Sequence, residues 1–335
     1  MHTDTTSPPL APPRRSTSQA GFSMLELLVS MAIMMIVSGT VMEGVFRLTK
    51  QGQTISNRSE MHAGVRNATE LLQQEVGQAG RVGFPNRLQL ASGVTAAALL
   101  DSAQVVTVKA VDSAGATISS AVPIKSMFVG EQVVVDAGNK AETVTITSIN
   151  PTWNTFTAVF TTTHDVNAPV AVYGGIRQGI IPTNVVSGST GSVLKMVGDI
   201  NSDGNLEYVE YSCDTASHNL YRRTMPFDTP GANKPAIGAS MSLLTNVIAN
   251  PDGTPCFTYQ EKTASGATYV VDVAITLTVQ TQDKDPVTGL YQTETKALLN
   301  VSPRNVFNTW QMAAQGITSR VQPLPPTVST LKSLP

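Results

Sequence analysis

The sequence predicts an α+β protein: a long N-terminal α-helix, transmembrane in its first half, followed by a mostly antiparallel β-rich globular domain. Three observations lead there. Residues 22–46 are apolar enough and long enough to cross a bilayer as a helix, which takes about 20 residues. A helical period continues to residue 79, and the remaining chain alternates strand-like segments with turn residues.

The predicted transmembrane segment, 22–46, contains one early acid. No charged residue stands between Leu27 and Met42, yet Glu26 lies at the start of this run. A carboxylate is costly in lipid, so we expect Glu26 to have a function there. Residues 1–20 are polar and Pro-rich, a composition typical of disorder.

The helix continues as an amphipathic segment over 47–79. Gln, Asn, Arg, Glu and Ser separate the apolar positions, which predicts a single apolar stripe on a rod of about 85 Å at ~1.5 Å per residue. Gly80, Gly83 and Pro85 end the rod. The stripe comprises Leu48, Ile55, Met61, Val65, Ala68, Leu72, Val76 and Ala79.

The rest of the chain is predicted to form one β-rich domain and a tail. Segments such as QVVTVKAV, EQVVVDAG, LEYVEYS and ATYVVDVAITLTVQTQ are strand-like, and turn signals such as DSAG, SDGN and NPDG separate them. We therefore assign 80–315 to the globular domain. Residues 316–335 hold four prolines without periodicity, which predicts a flexible tail.

The N-terminus resembles a known signal. A signal peptide would need a small-residue cleavage site after the apolar run, where SGTVMEGVF offers a poor one, and an ordinary signal anchor needs no special residues. In contrast, QAGFSMLELLVSMAIMMIV resembles the class III signal of type IV prepilins. This resemblance implies a leader over 1–21, cleavage after Gly21 by a prepilin peptidase, and N-methylation of Phe22. Glu26 matches the acid at position five of the mature chain.

The resemblance also implies a function. It is that of a minor pilin of the PilW type or a J-type minor pseudopilin of type II secretion, whose partners are other pilin or pseudopilin subunits. The chain would wait in the inner membrane with its N-terminus in the cytoplasm, then enter a pilus or pseudopilus. Arg14 and Arg15 fit this orientation, although Arg47 and Lys50 follow the span. A membrane-anchored, calcium-dependent adhesin that never assembles is a further alternative.

An acidic loop follows the pattern D-x-[DN]-x-[DN]-G-x5-E within GDINSDGNLEYVEYSC. Oxygen ligands at alternate positions converge on Ca²⁺ because the glycine permits a sharp turn. The flanks are strand-like, so we predict a calcium loop on a β-hairpin. In a strand, Glu207 and Glu210 point to opposite faces, and loop position favours Glu210. The predicted ligands are Asp199, Asn201, Asp203, the carbonyl of Asn205 and Glu210.

Two cysteines, Cys213 and Cys256, are compatible with one disulfide in an oxidising compartment, and two buried free thiols are the alternative. If paired, they close a loop of about 44 residues, worth ~4 kcal/mol in the chain-entropy model. The formal net charge is −2, so no basic field attracts nucleic acid, and we expect no nucleic-acid partner.

The sequence gives no catalytic constellation, so we expect no enzyme. It contains no close His pair, no G-x-S-x-G and no Walker loop. His164 and His218 lie near turn-like residues, which predicts surface histidines.

Overall fold

The computed structural model describes residues 21–96 and 102–334. The chain divides into two compact units, and the division falls between Ile55 and Ser56. The helices are α1 (Met24–Gln78), α2 (Arg304–Ala314) and α3 (Pro326–Leu331). A long N-terminal helix followed by a mostly antiparallel β domain confirms the predicted fold class.

The strands, in chain order, are β1 (Arg87–Leu90), β2 (Ala103–Val111), β3 (Gln132–Val135), β4 (Glu142–Thr145), β5 (Ser148–Asn150), β6 (Thr155–Val159), β7 (Pro169–Val172), β8 (Gly175–Ile176), β9 (Val193–Gly198), β10 (Glu207–Asp214), β11 (Asn219–Pro226), β12 (Ser242–Thr245), β13 (Val247–Ile248), β14 (Phe257–Ala264), β15 (Ala267–Gln280), β16 (Thr293–Val301) and β17 (Val321–Gln322).

In the first unit, α1 is exposed on every side. All residues from Gly21 to Gln53 are exposed, including bulky apolar side chains such as Met34 and Ile36. The helix is long and apolar enough to cross a membrane. Because water contact costs roughly 25 cal/mol per Å² of apolar surface, this segment requires lipid or other apolar helices around it.

In the second unit, the remaining part of α1 buries the predicted stripe. The stripe packs on the inner faces of two four-stranded antiparallel sheets, ordered β12-β11-β10-β9 and β13-β15-β14 with β16 also paired to β15. Spacings of four, three, four and four residues keep these side chains on one helix face. The buried stripe comprises Met61, Val65, Ala68, Leu72 and Val76.

A buried ion pair joins α1 to the sheet. Glu75 lies on the packed face of α1, and its side chain is only 6% exposed. Tyr211 donates a hydrogen bond to Glu75 Oε2 at 2.6 Å, and Arg222 reaches Glu75 Oε1 through Nη2 at 2.6 Å and through Nε at 3.0 Å. These donors compensate a buried carboxylate that would otherwise destabilise the packed face.

Residues 87–172 fold into a separate sheet with its own core. Its strand order is β4-β3-β7-β1-β2-β6-β5. The two end strands, β4 and β5, are consecutive in the chain. The N–H of Ile146 donates to Glu131 O on one side, and the N–H of Thr147 donates to Thr157 O on the other. The sheet is therefore closed on itself, and its interior is a hydrophobic cluster distinct from the one under α1.

Glycines allow the chain to leave α1 close to the sheet. Gly80 has a φ of 84°, and its N–H donates to Val197 O at 2.8 Å. A Cβ on Gly198 would lie 2.6 Å from the nitrogen of Gly80, and one on Gly204 would lie 1.6 Å from the Cβ of Pro85. Backbones meet here at distances that only glycine permits.

The C-terminal segment differs from the flexible tail predicted over 316–335. Strand β17 pairs in parallel with β8, and α3 follows it. Val328 and Leu331 on α3 are fully buried against the outer face of the β9–β11 sheet. The prolines interrupt the sequence, so no helical period is visible in it. The short helix α3 nevertheless places two apolar residues, three positions apart, on one face. Residues 304–314, expected within the β region, form α2.

The two cysteines form a disulfide, Cys213–Cys256, with a Cα–Cα distance of 6.5 Å. Cys213 lies on β10 and Cys256 just before β14, so the bond joins the two four-stranded sheets. The prediction of one disulfide is confirmed for these residues.

Leu331→Ala tests the docking of the C-terminal segment. Removing a fully buried leucine should lower the free energy of unfolding by about 2–5 kcal/mol. Ile317→Ala, at a residue that is 41% exposed, should cost less than about 1 kcal/mol. Denaturant unfolding of both variants measures the difference. Equal stabilities would favour the flexible tail that the sequence suggests.

Candidate functional site: the N-terminal segment and the acidic loop

The bond between Gly21 and Phe22 lies in non-helical chain just before α1. Ser23 caps the helix, because its Oγ accepts the N–H of Glu26 at 3.2 Å and its carbonyl accepts the N–H of Leu27 at 3.2 Å. Phe22 is 83% exposed, and among the described residues no atom lies within 4 Å of a Cβ placed on Gly21. Because the bond precedes Met24, its cleavage does not require the helix to unwind.

Glu26 lies in the first turn of α1 with an exposed side chain. The N-terminal dipole of the helix favours a carboxylate at this place. Within residues 21–96 and 102–334, this carboxylate has no hydrogen bond and no ion pair. Glu43, near the end of the apolar run, is different, because Arg47 one turn later contacts its Oε1 at 2.5 Å. Arg14 and Arg15, whose positive charges fit the predicted membrane orientation, lie outside the described residues, as does the rest of the leader before Gly21.

Comparison with known families decides the nature of this segment. Residues 16–42 match the model of the prokaryotic N-terminal methylation motif.

The chain carries a prokaryotic N-terminal methylation motif.

No curated protein and no solved structure matches the chain. The motif supports a type IV pilin-like protein or a pseudopilin, and it implies processing by a prepilin peptidase and assembly with pilin subunits. It covers Gly21, Phe22 and Glu26, the three residues that the sequence analysis identified. The β-rich remainder of the chain has no counterpart in these comparisons.

The acidic loop lies where the sequence predicts it, in the hairpin between β9 and β10. Asp199 Oδ1 accepts the N–H of Gly204 at 2.9 Å, and Asp203 Oδ1 accepts the N–H of Asn205 at 2.7 Å. The side-chain amide of Asn201 donates to Asp203 Oδ2 at 3.0 Å and lies 3.5 Å from Glu207 Oε1. Asp203 and Glu207 thus converge on one amide group.

Glu210 does not face this loop. It lies on the outer face of β10, where Arg223 and Lys234 form ion pairs with it and Tyr208 donates to its Oε2 at 2.8 Å. Burial raises the pKa of Glu210, but Lys234, Tyr208 and Arg223 outweigh burial and hold it below its usual value. The prediction that Glu210 is the last calcium ligand is therefore corrected. Residues three apart in a strand face opposite sides of the sheet, and Glu207 is the residue beside the loop.

Several carboxylates lie near one another in the acidic loop. Burial raises the pKa of Asp199, and the carboxylate of Asp203 raises it further. Burial and Asp203 also raise the pKa of Glu207. Carboxylate and amide oxygens suit Ca²⁺, and a cation would relieve this repulsion. Within the described residues, no three His, Cys, Asp or Glu side chains are grouped closely enough to hold a metal ion. Calcium binding therefore stays a prediction.

His164 is not the surface histidine that the sequence suggests. It is 1% exposed, and its Nδ1 lies 3.3 Å from Asp136 Oδ2 and its Nε2 lies 2.9 Å from Glu142 Oε2. No sequence signal marks this cluster, because its three members come from separate segments of the closed sheet. His218 is exposed, as predicted. The cluster joins segments of the sheet: the His164 side chain is buried between two carboxylates that are themselves only partly exposed.

A thermal-shift titration tests the calcium prediction. With a dissociation constant of about 0.1–1 mM, calcium at ten times that value should stabilise the protein by roughly 1.4 kcal/mol. Asp203→Asn and Glu207→Gln should abolish the shift, whereas Glu210→Gln should keep it. Asp252→Asn is the matched control, because Asp252 is in a similar turn whose carboxylate accepts the N–H of Thr254. Calcium at 10 mM is about ten times the dissociation constant of the weakest such site. If no shift occurs at this concentration, the prediction is contradicted.

Proposed function

We propose that this protein is a minor type IV pilin-like subunit, cleaved after Gly21 and assembled through its N-terminal helix at the initiation or tip of a pilus. The observation that carries the proposal is the methylation motif over 16–42, at the start of a helix whose first part is apolar and exposed on every side. Such a helix is suited to the core of a helical filament as well as to a bilayer.

The chemistry of Glu26 fits this role. Cleavage creates a positive α-amine on Phe22, four residues before Glu26. Each charge is costly in an apolar surrounding, and the carboxylate of Glu26 has no partner among the described residues. When α1 packs with other helices, the amine of one subunit and Glu26 of its neighbour neutralise each other and set the register between subunits.

The size of the second unit supports a minor subunit. In chain order, residues 87–172 lie between α1 and the strands that pack on α1. They form the closed sheet, which has a separate hydrophobic core. We propose that the second unit is displayed outside the inner membrane, where the Cys213–Cys256 disulfide is stable. The protein acts by assembly rather than by catalysis.

Two alternative functions lead to different experimental expectations. A minor pseudopilin of a type II secretion system would use the same motif and helix, and a deletion would then impair secretion rather than pilus-dependent twitching. A membrane-anchored, calcium-dependent adhesin would use the acidic loop without assembly. It would tolerate changes at Glu26, whereas a filament subunit would not.

The mass of the N-terminal peptide from native membranes tests processing. We expect a peptide that begins at Phe22 and carries one added methyl group, because Gly21 is accessible and the motif covers it. Gly21→Val should leave the leader attached, since a branched residue replaces the small one before the cut. A wild-type peptide that begins at Met1 or Met24, or after residue 38, indicates an ordinary anchor or signal peptide.

Glu26→Lys tests assembly. The variant should remain in the membrane but lose incorporation into filaments, because two positive charges would then meet in the helical core. Glu43→Gln is the control, because its carboxylate is already paired within the same helix. Immunodetection in sheared filaments and in membranes measures both variants. Full incorporation of the Glu26→Lys chain would contradict the assembly mechanism.

A further inference from the structure

A cleft of about 780 Å³, here named the α1–α2 cleft, lies where the end of α1 meets the acidic loop and the start of α2. The last turns of α1 and residues 80–84 line it, together with Asp199 and Ser202 of the acidic loop and Arg304 and Asn305 of α2. All of these residues belong to the second unit. The volume is within the range of ligand sites in proteins.

Hydrogen bonds across the α1–α2 cleft fix its shape. Asn305 Nδ2 donates to the carbonyls of Gln78 and Gly80, each at 3.4 Å, and so joins α2 to the end of α1. The N–H of Gly80 donates to Val197 O at 2.8 Å, which attaches the same segment to β9. The cleft is therefore preformed, so a ligand binds without the cost of ordering these segments.

Two glycines leave open space in the α1–α2 cleft. Gly77 lies in α1, where glycine destabilises a helix by up to about 1 kcal/mol relative to alanine. A Cβ on Gly77 or Gly83 would meet no described atom within 4 Å, so packing within the described chain does not require glycine at either position. Gly80 is different, since its φ is 84° and its Cβ would lie 3.1 Å from the Cβ of Asn305. The space at Gly77 and Gly83 is available to a ligand.

The polar side chains of the α1–α2 cleft suit the hydroxyl groups of a sugar. A primary amide offers both donors and an acceptor, and a hydroxyl group does the same. Gln73 and Gln74 are exposed on α1, and Ser202 adds a hydroxyl from the acidic loop. The amides that line the cleft are those of Gln73, Gln74, Gln78 and Asn305.

The charged groups that line the cleft balance one another. Glu70 and Asp199 contribute carboxylates, and Arg81 and Arg304 contribute guanidinium groups. Glu70 is also paired along α1, because Arg66 Nε lies 3.0 Å from its Oε1. The lining therefore favours neither a strongly anionic nor a strongly cationic ligand.

Arg81 leaves one buried donor unsatisfied in the lining. Its side chain is only 2% exposed, and its guanidinium donates to Ser126 O through Nη1 and to Glu131 through Nη2. Within the described residues, its Nε has no hydrogen-bond acceptor. A buried donor without an acceptor costs free energy that an oxygen-rich ligand can recover.

We propose that the α1–α2 cleft binds a neutral oligosaccharide. The amides and the balanced charges bind its hydroxyl groups, while the exposed Val82 and the half-buried Phe84 contact the C–H faces of the sugar rings. A peptide fits less well, because peptide sites use a free strand edge, an apolar or aromatic groove or an arginine cluster, and the residues that line this cleft supply none of these. The inference gives the second unit a ligand and does not depend on assembly.

Saturation-transfer NMR tests the inference on the full chain in phosphatidylcholine nanodiscs, which carry no sugar. The probes are neutral hexasaccharides of glucose, mannose, galactose and N-acetylglucosamine, with a hexamer of galacturonate as the anionic comparison. At least one neutral probe should bind with a dissociation constant of about 1 mM or lower. Calcium is present throughout, because Asp199 also belongs to the acidic loop.

Gly77→Leu places a side chain in the cleft and should weaken binding about tenfold or more. Gly52→Leu is the matched control, since Gly52 also lies in α1 with no described atom within 4 Å of its Cβ, but outside the cleft. It should stay within about twofold of the parent chain. Gln73→Ala combined with Gln74→Ala changes only exposed side chains, should also weaken binding about tenfold, and decides the matter if the G77L chain fails to fold.

Three outcomes would overturn the inference. The first is that no neutral probe binds at about 10 mM, ten times the expected dissociation constant. The second is that the galacturonate hexamer binds more tightly than every neutral probe. The third is that a neutral probe binds but neither the G77L chain nor the glutamine pair loses affinity, which means that the sugar binds elsewhere.

Discussion

The architecture of the second unit depends on the buried carboxylate of Glu75. A charge on the packed face of a helix is tolerated only when strong donors surround it, and here Arg222 and Tyr211 come from neighbouring strands of one sheet. This requirement fixes the rotation of α1 on β10 and β11 more tightly than apolar packing alone. Five residues after Glu75, Gly80 at positive φ ends the helix and directs the chain to β9, where its N–H donates to Val197 O.

The same sheet shows how one strand serves two surfaces. On the inner face of β10, Tyr211 reaches Glu75, while on the outer face Glu210 reaches Arg223 and Lys234. The outer ion pairs lie under the C-terminal segment, and Lys234 also donates to carbonyls of that segment. Ion pairs and hydrogen bonds on the two faces thus hold α1 on one side of this four-stranded sheet and the C-terminal segment on the other.

The closed sheet of residues 87–172 shows how a separately packed part can be added to such a scaffold. Among the described residues, Ile146 bonds to Glu131 beside β3 and Thr147 bonds to Thr157 on β6, so the two end strands join and the sheet closes on itself. It therefore needs no partner to protect it. Its hydrophobic core is separate from the core under α1.

By itself, the sequence determined the local features: the methylation motif, the long helix, predicted to residue 79 and found to Gln78, the hairpin position of the acidic loop and the two cysteines available for a disulfide. These depend on neighbours a few residues apart. Only the tertiary structure decided the burial of His164, the outward side of Glu210 and the docking of Leu331. Each depends on groups distant in the chain, and a side chain's surroundings are set by which strands pair and by which face a residue occupies.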